Sequence, residues 1–247
     1  MATIDVMIPV LNEERALPGC IEQLGGFLRR SMQHHTIRIV IVDNGSTDRT
    51  LEVCQELATS FPKQVSYVHL DERGRGRALR RAWLESDADI VSYMDVDLST
   101  ALDSFPSMIN GILDDGVHIA FGSRLAAGAK TKRSTKREFV SRAYNRIIRV
   151  TMGTSFKDAQ CGFKALSRSA AQVLVPKVIN NHWFFDTELL VIAEKRGFKM
   201  LEVPVEWNED QDTRVKIIQT ALEDLRGLAR LRIGGVPNVT LPVNVRE

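Results

Sequence analysis

The chain has 247 residues and 44% hydrophobic content, enough to bury a sizeable core in one large α/β domain or two small ones. Its 33 basic and 31 acidic residues leave a net charge of +2, so bulk charge names no partner and only local clusters are informative. Cys20, Cys54 and Cys161 are odd in number and widely spaced, which excludes a zinc cluster or disulfide framework and suits a reducing compartment.

The amino terminus, MATIDVMIPV, has no basic leader or cleavage site. No run approaches the ~18–20 apolar residues of a spanning helix. A cytoplasmic protein is expected, touching the cytoplasmic face of a membrane only peripherally. Residues 6–10 form the first short β-branched run, predicted as a strand that ends in PVLNEE. Leu17, Ile21, Leu24 and Leu28 follow at helical spacing. Further strands are predicted over 37–42, leading into IVDNGSTDRT, over 65–70, over 90–94, leading into MDVDLST, and over 117–121. Leu51, Cys54, Leu57 and Ala58 mark a helix between the second and third strands. Alternating helices and strands apolar on both faces predict an α/β protein with a mostly parallel, Rossmann-like sheet flanked by helices. Ligands of such sheets sit at the carboxyl ends of the strands. Beyond about residue 123 the pattern loosens. Helices are expected over 134–152, near 186–196 and near 214–232, with a strand near 200–207. One catalytic domain is expected over 1–233 and a tail over 234–247; there is no internal repeat.

Parallel topology brings Glu13, Asp43, Asp95 and Asp97 to one rim. In an extended segment residues two apart share a face, so Asp95 and Asp97 would point together into the crevice. Such hard oxygen donors suit Mg²⁺ or Mn²⁺, which binds through one or two carboxylates while substrate phosphate and water complete the shell. A lone Asp-x-Asp is equally a solvated turn or a helix cap. The apolar strand before this one, and carboxylates at two other strand ends, favour the metal. Asn44 to Thr47 read as a turn and helix N-cap, leaving Asp43 free to accept hydrogen bonds from a nucleoside. Gly74 and Gly76 of RGRGRALR suit either close approach of backbone to a ligand or a structural turn. Arg75 and Arg77 would then reach a diphosphate.

Residues 130–149 hold eight basic side chains against one acid, Glu138. On a helix Arg142, Arg146 and Arg149 form a cationic stripe, with Val140, Tyr144 and Ile147 on a roughly opposite apolar one. Such a helix can lie on an anionic membrane, although a charge run is often merely solvated. Nucleic acid is not an expected partner, because stacking aromatics and a recognisable binding motif are absent.

Taken together, PVLNEE, IVDNGSTDRT, RGRGRALR, MDVDLST, FGSR, DAQCGFKAL and WFFDTELL resemble glycosyltransferase family 2, over about residues 4–232. The likeness is greatest to dolichyl-phosphate glucose and dolichyl-phosphate mannose synthases, the glucose branch being nearer. It implies a GT-A fold and metal-dependent, inverting transfer of a hexose from a nucleotide-diphosphate sugar to a polyprenyl phosphate. It also implies that Pro9, Leu11, Glu13 and Asp43 line the nucleoside pocket, that Asp95 lies near the diphosphate and sugar, and that Asp97 holds the metal. Arg124, Arg133, Arg214 and Lys216 would contact donor and acceptor phosphates, and Asp158 would stand near the acceptor, as an orienting group, a base or a turn residue. Asn44 and Arg75 depart from the family pattern, which often has Asp and Lys there. Asp186 and Glu188 are read as capping and anchoring a helix. A soluble acceptor, a partner membrane protein completing the acceptor site, and a non-catalytic nucleotide-sugar-binding subunit all fit the same donor-side residues.

Overall fold

The computed structural model describes residues 1–132, 134–208 and 217–241. Thr3–Val10 (β1), Thr36–Asn44 (β2), Val65–Leu70 (β3) and Ile90–Met94 (β4) are mutually parallel in the order β3-β2-β1-β4. The sheet continues through Phe163–Ser167 (β7), Ile119–Ser123 (β5) and Met200–Pro204 (β8), with β7 antiparallel to both neighbours and β8 parallel to β5. A separate parallel ribbon pairs Lys130–Lys132 (β6) with Glu206–Asn208 (β9). The mostly parallel sheet read from the sequence is therefore present, with one reversed strand, β7, fifth of the seven.

Strand alternation builds two cores. Met7, Val40 and Val42 face one side of the sheet, whereas Val6, Ile8, Ile39 and Ile41 face the other, as period-two geometry requires. The first face is covered by Arg75–Glu85 (α3), Arg168–Leu174 (α6) and Phe185–Lys195 (α7), through Ala78, Trp83, Ala171, Phe185 and Leu189. Leu17–Ser31 (α1) and Phe105–Leu113 (α4) cover the second through Leu17, Leu24, Phe105 and Met108. Thr50–Ser60 (α2), Thr135–Met152 (α5) and Ile217–Gly234 (α8) complete the α-helices of the described residues, with short 3-10 turns at Leu102–Ser104 and Val175–Lys177.

Several elements differ from expectation. The fifth strand lies two residues later than predicted, because 117–118 still belong to the connection out of α4: Val117 N–H donates to the Gly111 carbonyl (3.1 Å) across Gly116, whose φ is +65°. Two helices not singled out from the sequence, α3 and α4, each bury a stripe at helical spacing: Leu79, Ala82 and Trp83 in the one, Phe105, Met108, Ile109 and Ile112 in the other. The basic helix is present as α5, but its apolar stripe divides: Tyr144 turns inward to share a hydrogen bond with Thr187 (3.0 Å), while Val140 and Ile147 stay half exposed. Residues 235–241 have no helix or strand, yet Val236 and Val239 pack on the core, and Arg196 donates to the carbonyl of Pro237 (2.8 Å).

Candidate active site

The carboxyl ends of β1, β2 and β4 form a rim stitched by short polar loops. The amide of Asn12 donates to Ser46 Oγ (2.9 Å), Thr47 N–H donates to Asn12 Oδ1 (2.8 Å), and Glu13 N–H donates to Thr50 Oγ1 (2.8 Å). Asn12 adopts a left-handed φ of +57° to do so, a conformation its short amide tolerates. The stretch from Asn44 to Thr47 is thus a splice between loops: α2 begins only at Thr50 and has no side-chain cap from it. Pro9, Leu11 and Glu13 stand partly exposed on this rim. Asp43, expected to be free for a nucleoside, is fully buried and committed, accepting from His69 Nδ1 (2.7 Å) and Ser46 N–H (3.2 Å).

Asp95 and Asp97 lie in a β-turn, closed by Leu98 N–H donating to the Asp95 carbonyl (3.1 Å), rather than in the extended segment predicted. Leu98 follows with φ +47°. A left-handed leucine is uncommon and costs strain, of the kind that gathers at working sites. Asp97 Oδ1 accepts from Ser99 N–H (2.9 Å). Asp95 lies against Gly162, where a Cβ would stand 1.6 Å from Asp95 Oδ2.

Arg75 is the hinge of the site. Its Nη2 donates to Asp95 Oδ1 (2.8 Å) and its Nη1 to Asp186 Oδ2 (2.5 Å), while the guanidinium lies 4.8 Å from the Tyr93 ring centre and 5.1 Å from that of Trp183. Behind it, Asp186 Oδ1 accepts from Tyr93 Oη (2.6 Å) and pairs with the fully buried Lys164 Nζ (3.0 Å). Lys164 also donates to the Cys161 carbonyl (2.7 Å). Burial alone would raise the Asp186 carboxyl, but Lys164 and Arg75 hold it below its ordinary value. Asp186 therefore anchors two cations under the site rather than capping α7, which has no side-chain cap. Glu188 accepts from Asn180 N–H (3.0 Å) and pairs with Arg230 (2.8 Å). Gly74 and Gly76 are structural, since a Cβ at either would collide with the 180–185 segment: 2.6 Å from the Asn181 carbonyl oxygen and 2.6 Å from Phe185 Cβ. Arg77 pairs with Glu72.

At the end of β5, Arg124 meets Asp158 through two parallel bonds, Nε to Oδ2 (2.7 Å) and Nη2 to Oδ1 (2.8 Å), and its backbone N–H adds a third (3.0 Å). Burial pushes the Asp158 carboxyl up, Arg124 pulls it down, and the net is below the usual carboxylate range. A carboxylate so held is a clamp for Arg124. Arg124 also lies 5.6 Å from the Trp207 ring centre. Arg133, Arg214 and Lys216 lie outside the described residues.

Among the described residues no three His, Cys, Asp or Glu side chains gather to cage a metal. The donor set is instead the half-exposed Asp95 and the exposed Asp97. Two carboxylates and open solvent fit a Mg²⁺ or Mn²⁺ ion that takes its remaining ligands from water and a diphosphate. Lys164, Tyr93 and Gly162 escaped the sequence reading. The available signal was a lysine inside an apolar strand, a residue type almost never fully buried unless paired.

The sequence profile described as Glycosyl transferase family 2 matches residues 5–175. Glycosyltransferase AglD of Haloferax volcanii is 33% identical over 220 residues, covering 89% of this chain and 35% of the relative. The chain thus spans about a third of that relative's length. Dolichyl-phosphate beta-glucosyltransferase ALG5D of Trichomonas vaginalis is 32% identical, covering 90% of this chain and 72% of the relative. The fold is shared with glucosyl-3-phosphoglycerate synthase from Mycobacterium tuberculosis, solved with Mn²⁺, UDP and glucosyl-3-phosphoglycerate, at a TM-score of 0.66 and 19% identity, over 96% of this chain and 81% of that one.

Proposed function

We propose, for a chain that belongs to glycosyltransferase family 2 and has its GT-A fold, that it transfers glucose from UDP-glucose to a polyprenyl phosphate with inversion. The observation that carries this reading is the pairing of an acidic turn, Asp95 to Leu98, with two clamped arginines, Arg75 and Arg124, at one edge of the sheet. Cations held by buried carboxylates are preorganised: they need not rearrange when charge develops on a leaving diphosphate. The names of the dolichyl-phosphate glucosyltransferase relatives support the donor sugar and the lipid acceptor.

In the proposed reaction an acceptor phosphate oxygen attacks the anomeric carbon, the bond from that carbon to the diphosphate oxygen breaks, and the nucleoside diphosphate leaves with the electron pair. A phosphate monoester has its second pKa near 6 and is mostly dianionic at neutral pH, so no general base is required. That agrees with Asp158 being committed to Arg124. Pro9, Leu11 and Glu13 would line the nucleoside side, Arg75 and Asp95 the diphosphate and sugar, and Arg124 the acceptor phosphate, with Arg133, Arg214 and Lys216 assigned to the phosphates from sequence alone. Asp43 would act from behind, by fixing His69 and the Ser46 loop. Asp95 and Asp97 would hold Mg²⁺ or Mn²⁺, which when bound neutralises charge on the diphosphate. No helix among the described residues is long and apolar enough to cross a membrane. Contact with the lipid would be peripheral, through the basic α5.

The test is nucleotide release from UDP-glucose and GDP-mannose, with Mg²⁺ or Mn²⁺, with and without a short polyprenyl phosphate, and with 3-phosphoglycerate as a soluble phosphorylated acceptor. Lipid-dependent release of UDP, lost in Asp97→Ala, is the expected result. Release driven only by the soluble acceptor would replace the lipid, and tight nucleotide binding without turnover would make the chain a binding subunit.

A further inference from the structure

A second concentration of charge stands apart from the acidic turn. Arg142, Arg146 and Arg149 succeed one another at spacings of four and three along α5, hence on one side of the helix. Opposite them stand Leu125 and Lys157, and the five residues line an open cleft of about 290 Å³. Arg142 shares its charge with Glu138 (2.6 Å), whereas the side chains of Arg146, Arg149 and Lys157 form no ion pair among the described residues, the nearest bonded carboxylate being Glu202 on the backbone N–H of Lys157 (2.9 Å). Three unpaired cations facing one cleft repel each other, and an anion between them relieves that repulsion. The far wall is fixed, since Leu125 and Lys157 are the chain neighbours of Arg124 and Asp158, which are locked in a bidentate pair.

A soluble anion accounts for the cations but not for what flanks them. On α5, Phe139 is 73% exposed and Val150 77%, with Val140 and Ile147 half exposed, while the buried side of the same helix is Asn145, Ile148 and Met152. By helical geometry Phe139 and Val150 stand beside the arginines, with Val140 and Ile147 farther round the helix. A bilayer surface satisfies both sets, taking apolar side chains into the headgroup–acyl boundary and presenting phosphates to the cations.

We propose that this cleft seats the phosphate of an anionic phospholipid headgroup, separate from the acceptor phosphate assigned to Arg124, and thereby sets the orientation of the chain on the bilayer. The proposal rests on the peripheral membrane contact inferred above and gives it a discrete site.

The experiment is co-sedimentation of the full chain with vesicles of phosphatidylcholine alone and of phosphatidylcholine with phosphatidylglycerol. Binding is expected only to the second. Each of Arg149→Glu and Lys157→Glu is expected to weaken it by roughly thirty-fold, the conversion of about 1 kcal/mol for each basic residue at an anionic surface and a full reversal of sign. Lys130→Glu and Lys132→Glu make the same charge change on β6, outside the cleft, and are expected to cost about two-fold or less. Equal losses in all four variants would reduce the site to diffuse attraction and overturn the proposal, as would absence of binding to either vesicle. Release of bound protein by glycerol phosphate or inorganic phosphate would overturn the lipid assignment in favour of a free phosphate. Turnover with a detergent-dispersed polyprenyl phosphate, measured in parallel, is expected to survive in Arg149→Glu and Lys157→Glu. Failure of turnover in the unaltered chain, with the vesicle pattern intact, would sink the transferase reading while supporting the cleft.

Discussion

Gly162 shows how a residue with no side chain decides where a carboxylate can be. Asp95 is held on three sides: its amide donates to the Gly162 carbonyl (3.2 Å), its Oδ1 accepts from Arg75, and its carboxyl group occupies the space a Cβ at position 162 would fill. In Gly162→Ala the methyl group cannot coexist with the carboxylate, so Asp95 must leave Arg75 or swing out of the turn. Misplacement of a positioning group by about 1 Å can cost 10²-fold, so kcat/KM for nucleotide release is expected to fall by roughly that factor. The circular dichroism spectrum should be unchanged, because the clash is with a half-exposed side chain at the rim rather than with the core. Unchanged kcat/KM in a folded Gly162→Ala protein would remove Asp95 from the reaction. The same residue explains a limit of sequence reading. MDVDLST identifies the acidic pair by residue type, but the turn that carries it, and the Arg75 bond that aims Asp95, depend on strands β4 and β7 lying side by side.

At the scale of elements, legibility followed the apolar periodicity. The parallel strands β1, β2 and β4 were readable because most of both faces is buried and their runs are apolar, and the edge strand β3 because Val65, Val68 and Leu70 mark it although Ser66 and Tyr67 are exposed. β7 was not, because Lys164 breaks its apolar run, and the residue that answers Lys164, Asp186, is on α7. Among the site residues, those at strand ends were legible, while those beneath the strands were not. The docking of α8 shows another such hidden determinant. Asp224 on α8 is buried, with Oδ2 accepting from Gln160 (3.0 Å) and Oδ1 without a hydrogen-bond partner among the described residues. Burial pushes its carboxyl up from 3.8 to about 7. A carboxyl raised in the folded state is stabilising when protonated. Its contribution is full below about pH 4, its unfolded value, and is lost as pH rises through about 7. Asp224→Asn retains the neutral form and the acceptor for Gln160 at every pH. The expected result is a thermal midpoint higher than that of the unaltered chain at pH 8, with the difference vanishing near pH 4. Equal midpoints at both pH values would mean that Asp224 is solvated and that α8 docks without this constraint.

For the whole molecule, the site draws on loops that the sheet alone holds together: the 11–14 loop after β1, the Ser46 loop after β2, the acidic turn after β4 and Arg75 at the start of α3. A ligand touching all of them adds cross-links between separate parts of one sheet and stabilises the folded state by mass action. At a hundred times its dissociation constant the gain is about 2.7 kcal/mol, and for chains of about this size each kcal/mol moves the midpoint by roughly 2–4 °C. UDP with Mn²⁺ is therefore expected to raise the thermal midpoint by roughly 5–10 °C. Removal of the ion with a chelator leaves the diphosphate facing Asp95 and Asp97 uncompensated, so UDP alone should give a much smaller shift. Asp97→Ala should behave with Mn²⁺ as the unaltered chain does with chelator, while its ligand-free midpoint stays near the original, because Asp97 is exposed. A UDP shift of the same size with and without the ion would mean that the two carboxylates do not meet the diphosphate through a metal, and the positive charge opposing it would then have to come from the arginines alone.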